Sequence, residues 1–164
     1  METVRVALLV ISTITMGLVG GLFYGFSVAV VRALARVDDR TFVLVCQKMN
    51  RAIENGLFAL SFVGTVIFSG ISLVLFIAIG KSTVYVPIIV ALVLYVLSLL
   101  ITFRISIPMN NAIDRVGDPD KAKDLAGARK AFEAPWNRWN HIRGLLAIAG
   151  FGALCWALIE YGAL

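Results

Sequence analysis

At 164 residues, 60% hydrophobic and 15% charged, with a mean hydropathy of +0.90, the chain carries too little polar surface for a water-soluble domain, whose apolar and charged shares run near one half and one quarter. Its charges are bunched, and the apolar stretches between them reach membrane-spanning length, which excludes a globular cytoplasmic domain. The net charge of +5 does not point to nucleic acid, because the basic residues flank apolar segments instead of forming a stripe on a soluble fold.

Between Arg5 and Arg32 about 26 residues carry no ionisable group, more than the ~20 that cross a hydrocarbon core. A cleaved signal peptide would have a basic start and a shorter apolar core, so this segment is expected to be retained. Further uncharged runs lie between Glu54 and Lys81, between Lys81 and Arg104, and between Arg143 and Glu160; the last, about 16 residues, must borrow from its flanks to span. The prediction is one all-α membrane domain over residues 1–164, a four-helix bundle with spans at about 6–31, 56–80, 83–107 and 136–160.

Four spans put both termini on one side and two longer loops, roughly residues 32–55 and 104–143, on the other. The loops hold Arg32, Arg36, Arg40, Lys48 and Arg51, and then Arg104, Arg115, Lys121, Lys123, Arg129, Lys130, Arg138 and Arg143, against only Arg5 and Lys81 opposite. By the positive-inside rule the loops face the cytoplasm and both termini lie outside it, in a cell membrane. Cys46 and Cys155 then fall near opposite ends of the bundle, too far apart for a disulfide, and read as small apolar fillers.

Each loop is expected to hold a short amphipathic helix. In the first, Asp38-Asp39-Arg40-Thr41 offers caps for a helix that runs through Gln47 and Asn50 into the second span. In the second, Asp118-Pro119-Asp120 reads as a cap, an N1 proline and an acidic first turn, with Leu125, Ala128 and Phe132 at helical spacing. Glu133-Ala134-Pro135 should break that helix and start the fourth span, and Pro108 should end or kink the third.

Gly17, Gly21 and Gly25, at steps of four with Gly20 beside them, clear one face of the first span for close approach of another helix. The partner is either in the same chain or in a second copy, the latter making a homo-oligomer. No acidic residue stands mid-span, which counts against proton-coupled transport. A heme held by two histidines is excluded, since His141 is the only histidine.

The chemistry-bearing residues gather at one depth. Gln47, Asn50 and Asn55 lead into span two; Asn110 and Asn111 follow Pro108; Asn137, Asn140, His141 and Arg143 open span four. The topology brings all of them to the cytoplasmic end, where buried amides need mutual bonds, water or a ligand. Trp136, Asn140 and Arg143 share a helix face with Trp139 at its margin, while Asn137 and His141 point away from it. An Arg143–Glu54 ion pair across helices is expected. His141 is either an interfacial histidine or a proton carrier, the amide cluster is either a structural lock or a pocket lining, and Arg104 is expected to snorkel toward the headgroups.

Thr102-Phe103-Arg104-Ile105-Ser106-Ile107-Pro108-Met109-Asn110-Asn111 and Trp136-Asn137-Arg138-Trp139-Asn140-His141-Ile142-Arg143 resemble motifs of the anthrone oxygenase-like family of small four-span membrane proteins. Gly20-Gly21-Leu22-Phe23-Tyr24-Gly25-Phe26 and Gln47-Lys48-Met49-Asn50-Arg51-Ala52-Ile53-Glu54-Asn55 are similar to its first-span and second-span motifs. Departures are Ser106, where members often carry Asn, and Arg104, where many carry no charge. The resemblance implies oxidation of an anthrone-like aromatic polyketide by molecular oxygen, with no metal or other cofactor. An anthrone methylene is acidic because its deprotonation aromatises the central ring. On this reading Arg143, Asn140 and Asn110 stabilise the oxyanion, and His141 or Glu54 takes the proton. Trp136 or Trp139 stacks on the rings, and Asn50 and Asn111 line the pocket. The alternatives are a non-enzymatic scaffold or accessory subunit, and a membrane protein that binds a lipid or quinone at the cytoplasmic leaflet.

Overall fold

The computed structural model describes residues 1–162, and they form an all-helical bundle. Helix α1 runs Glu2–Leu34, α2 Asp39–Ile53, α3 Gly56–Ile77, α4 Ser82–Asp114 and α5 Leu125–Gly162. Four of these, α1, α3, α4 and α5, are long and apolar enough to cross a membrane. They pack antiparallel in the ring order α1, α3, α4, α5, with α5 closing back on α1. Glu2 and Tyr161 meet at one end, and α2 lies with the two longer connections at the other.

Two features mark the bundle as one built for lipid. Large side chains such as Ile14, Leu18, Leu60, Val63, Ile67, Val93 and Ile159 are exposed on its outside. Its interior is instead rich in small hydroxyl residues, among them Ser12, Thr13, Thr65, Ser69 and Ser98. Small residues let helices approach where no hydrophobic drive exists between them. The hydroxyls are mostly satisfied locally, Ser12 donating to the Leu8 carbonyl at 2.7 Å and Thr13 to that of Leu9 at 2.8 Å.

The glycines act here too, but not along the expected stripe. A Cβ at Gly20 would lie 3.3 Å from Ile148 on α5, and one at Gly17 would lie 2.9 Å from the Phe151 ring, whereas Gly21 and Gly25 face nothing within 4 Å. Within the chain the close approach is between α1 and α5. It uses Gly17 and Gly20 because those two, not Gly21 and Gly25, turn toward α5. From the facing helix, a Cβ at Gly144 would lie 3.2 Å from the Cβ of Phe23.

Several boundaries differ from the sequence expectation. Asp38 does cap α2, accepting from the Thr41 amide at 3.0 Å and the Thr41 hydroxyl at 2.7 Å. That helix does not run into span two: it stops at Ile53, and Asn55 caps α3 by accepting from the Phe58 amide at 3.0 Å. The second loop holds no separate helix. Residues 118–123 form turns, and α5 begins at Leu125, with Asp124 accepting from the Gly127 amide at 2.7 Å. From there it is continuous through Pro135 into the membrane-length segment. The proline removes one helical donor, the one to the Ala131 carbonyl, and both residues are exposed, so that carbonyl stays open to solvent.

Nor does Pro108 end α4, which continues to Asp114. The helix loosens into a π-turn at Thr102–Ser106 just before the proline, and a second π-turn interrupts α1 at Phe26–Val30. Extra residues of this kind often accompany functional sites, since they free carbonyls and turn side chains off the regular register.

Candidate functional site

A cavity of roughly 170 Å³ opens at the loop end of the bundle, beside both π-turns. Its wall is aromatic, with Phe23 and Phe26 from α1, Phe42 from α2, Phe58 and Phe62 from α3, and Phe132 and Trp136 from α5. Phe132 and Trp136 stack at 5.8 Å between centroids, Phe58 and Phe62 at 4.9 Å. The polar lining comes from Asn50, Asn110, Asn111, Asn137, Thr102, Ser106 and Arg143, with Cys46, Glu54, Asp114 and Glu133 also on the wall.

Arg143 is the one buried cation among the described residues, 7% exposed. Its Nε and Nη2 donate to Asn140 Oδ1 at 3.2 and 3.0 Å, and Nη1 donates to the Thr102 hydroxyl at 3.3 Å. The guanidinium lies over the Phe23 ring at 4.3 Å and the Trp136 ring at 5.5 Å, close enough for cation–π attraction. The expected pair with Glu54 does not form: Glu54 is exposed at the head of α3, and Arg143 has no ion-pair partner among the described residues. Two successive turns of α5 thus point a positive charge at neutral acceptors and aromatic faces.

Asn140, 1% exposed, holds this arrangement from behind. It donates to the Phe23 carbonyl at 3.2 Å and the Ser27 hydroxyl at 2.9 Å while its oxygen takes both bonds from Arg143. It does not line the cavity, so its effect on an occupant passes through the guanidinium. Asn110 does line it. Its Oδ1 accepts from the Trp136 indole N–H at 2.8 Å and its carbonyl from Asn50 at 3.3 Å. Asn50 also reaches Asp114 Oδ2 at 3.4 Å, and Asp114 Oδ1 is buried without a partner.

The amide cluster is therefore part lock and part lining. Gln47 is buried and donates to the Ile113 and Gly117 carbonyls at 3.0 and 2.9 Å, tying α2 to the end of α4, and Asn55 serves as a cap. Asn111 is exposed on the wall. Asn137 lines the cavity although the helical spacing turned it away. His141 is exposed outside the cavity, its Nδ1 against the Asn137 carbonyl. Trp139 is also off the wall, with Arg138 over its ring at 6.0 Å. Arg104 is exposed and off the wall.

Three groups escaped the sequence reading. The phenylalanine wall is spread over four helices with no local signature. Asp114 stands three residues beyond Asn111, the last residue of the nearest motif. Arg129 donates to the Leu34 and Val37 carbonyls at 3.3 and 2.7 Å, pairs with Asp39 at 3.0 Å and Glu133 at 2.7 Å, and lies 4.7 Å from the Phe42 centroid. Only its i, i+4 spacing from Glu133 was visible in the sequence.

Both cysteines are free; burial pushes the Cys46 thiol up to about 12, so it stays protonated and unreactive at neutral pH. Among the described residues no three His, Cys, Asp or Glu side chains converge as metal ligands.

Four membrane-length helices around an aromatic cavity with one buried guanidinium define a small multi-pass membrane protein. The model of the anthrone oxygenase family matches residues 57–153, more than half of the chain, and the chain belongs to that family. The match takes in α3, α4 and the part of α5 that carries Trp136, Asn140 and Arg143. No curated protein and no solved structure matches the chain.

Proposed function

We propose that the protein oxidises a flat, hydrophobic aromatic substrate of anthrone type with molecular oxygen, in a cell membrane, with the cavity and both long loops on the cytoplasmic side and both termini outside. The observation that carries this reading is Arg143: a buried guanidinium beside neutral acceptors, on the wall of an aromatic cavity, in a chain of the anthrone oxygenase family. Lipid surrounds the exposed apolar faces and gives such a substrate its route.

Loss of a methylene proton turns an anthrone into an electron-rich enolate. Its oxygen sits at Arg143, where donors in a water-poor site stabilise developing charge, and its rings lie between Phe23, Phe26 and Trp136. The enolate gives its electrons to oxygen, a carbon–oxygen bond forms at the former methylene carbon, and a returning proton completes a hydroperoxide. The second carbon–hydrogen bond and the O–O bond then break, leaving the quinone carbonyl and one water for each O₂ consumed. Asn140 positions the guanidinium, while Asn110 and Asn50 fix the indole edge. The carboxylates on the cavity wall, Glu54, Asp114 and Glu133, take up and return the protons, and His141, exposed and off the wall, takes no part.

Purified protein in lipid nanodiscs, given an anthrone and oxygen, should form the anthraquinone with one O₂ consumed per quinone. Arg143→Ala should reduce that rate at least ~100-fold, the order lost with one oxyanion donor. A rate no faster than in empty nanodiscs would remove the reading.

A further inference from the structure

We infer that the cavity takes its substrate already ionised, binding the oxyanion of an aromatic enol or phenol and not the neutral molecule. This deepens the reading above and rests on it for the identity of the substrate site.

The first argument is the donor count. A guanidinium has five N–H groups and cannot shed its charge in ordinary conditions. The three bonds of Arg143 go to an amide oxygen and a hydroxyl, both neutral, which leaves two N–H groups without an acceptor among the described residues. A buried cation is normally paired, since neutral acceptors and aromatic faces only partly replace its lost hydration. An anionic oxygen on the wall beside Arg143 supplies the missing charge.

The second argument is the position of the bases. None of the carboxylates on the wall pairs with Arg143 among the described residues. Glu133 is engaged by Arg129, Asp114 accepts from Asn50, and Glu54 is exposed at the head of α3. The charge that answers the guanidinium therefore arrives with the occupant, as its oxyanion.

The third argument is shape. A carboxylate or phosphate on a lipid chain could also answer a guanidinium. The surrounding faces of Phe23, Phe26, Phe58, Phe62, Phe132 and Trp136 instead suit a rigid planar body, whose rings stack on them with little entropy to lose.

The test is binding without turnover. Hydroxynaphthalenes of graded acidity, together with their methyl ethers, are titrated onto the protein in nanodiscs under argon and read by ligand fluorescence, with empty nanodiscs subtracted. Affinity should rise with pH, and the midpoint should shift from ligand to ligand with each phenol's own pKa. Each phenolate should bind at least ~30-fold more tightly than its methyl ether, the scale of a lost partner for a buried charge. Arg143→Met should erase that difference. Because this change also strips Asn140 and Thr102 of their donor, the ligand series on the unaltered protein carries the test by itself. Binding independent of pH, one midpoint shared by all ligands, or ethers as tight as phenolates would overturn the inference. Decanoate binding as tightly as the phenolates would also overturn it, pointing to a lipid-acid site. Phenolate binding in a protein that leaves anthrones unoxidised would sink the oxygenase reading and keep this one; anthrone turnover with indifferent ethers would do the reverse.

Discussion

The two ends of the bundle solve opposite problems with the same helices. Toward the termini the interior is closed by small residues: Gly150 of α5 fits against Met16 and the Ala91 carbonyl, where a Cβ would come within 2.8 Å of the sulfur and 3.2 Å of the oxygen. Toward the loops, α1 and α4 both loosen into π-turns, aromatic side chains replace glycines at the wall, and a cavity opens around one cation. Tight packing tolerates no occupant, and an open aromatic end stabilises the bundle less. The tight packing therefore lies in one half and the candidate site in the other, an arrangement that substitutions can separate.

After loss of Arg143 itself, Asn140→Ala should give the largest change in activity. It leaves Nε and Nη2 of Arg143 without their acceptor and takes a donor from the Phe23 carbonyl and the Ser27 hydroxyl, at a cost of ~2–3 kcal/mol for bonds to a charged group. The freed guanidinium no longer faces the cavity in one orientation, so turnover per folded molecule should fall ~100-fold. Quinone formation normalised to folded protein measures it; unchanged turnover would mean that Asn140 positions nothing.

Gly150→Ala should do the reverse. The added methyl meets Met16, which can shift, and the Ala91 backbone, which cannot, so the variant should lose ~1–3 kcal/mol by overpacking. Thermal unfolding in detergent should shift down while turnover per folded molecule stays at the level of the parent protein. A fall in turnover with no change in unfolding temperature would show that the two halves are coupled.

How legible this division was depends on the kind of signal. Charge placement and uncharged run length gave the spans, because lipid leaves no freedom in either. The family motifs brought Asn110, Trp136, Asn140 and Arg143 to one end. Helical spacing failed at Asn137, since a small error in phase moves a margin residue onto the wall. The proline at 135 misled because a proline interrupts one hydrogen bond, and whether the helix survives depends on water reaching the freed carbonyl, a tertiary fact. The absence of a Glu54–Arg143 pair was equally hidden: α2 ends at Ile53, and the cap at Asn55 turns Glu54 outward.

A smaller effect is expected at Arg129, which belongs to the loop end yet touches no occupant. Arg129→Ala removes the donors that hold the Leu34 and Val37 carbonyls to α5 and should cost ~1–2 kcal/mol. Amide exchange should quicken at residues 34–39 and leave the Ser69–Phe76 stretch of α3 unchanged. Uniform quickening through the bundle would contradict a division between the halves.

The smallest effect should appear in acid, again at the loop end. Hydrogen bonds from Thr41 hold the Asp38 carboxyl below its ordinary value of 3.8, and the Arg40 guanidinium does the same for Asp120. A carboxylate whose pKa is lowered by folding stabilises the fold fully above the unfolded value and loses that contribution as pH falls through the lowered one. Above pH 3.8 both contacts should be indifferent to pH; below it the first turn of α2 and its tie to residue 120 should loosen. Both groups are exposed and screened by solvent, so global unfolding should move little. Exchange at Thr41 and Phe42 followed down from pH 5 is the measurement, and Asp38→Asn, which keeps an acceptor without a charge, should remove the cap's share of the pH dependence. A pH response first seen near Gly150, where no acid lies within the packed interior, would mean that the terminal half is the weaker one.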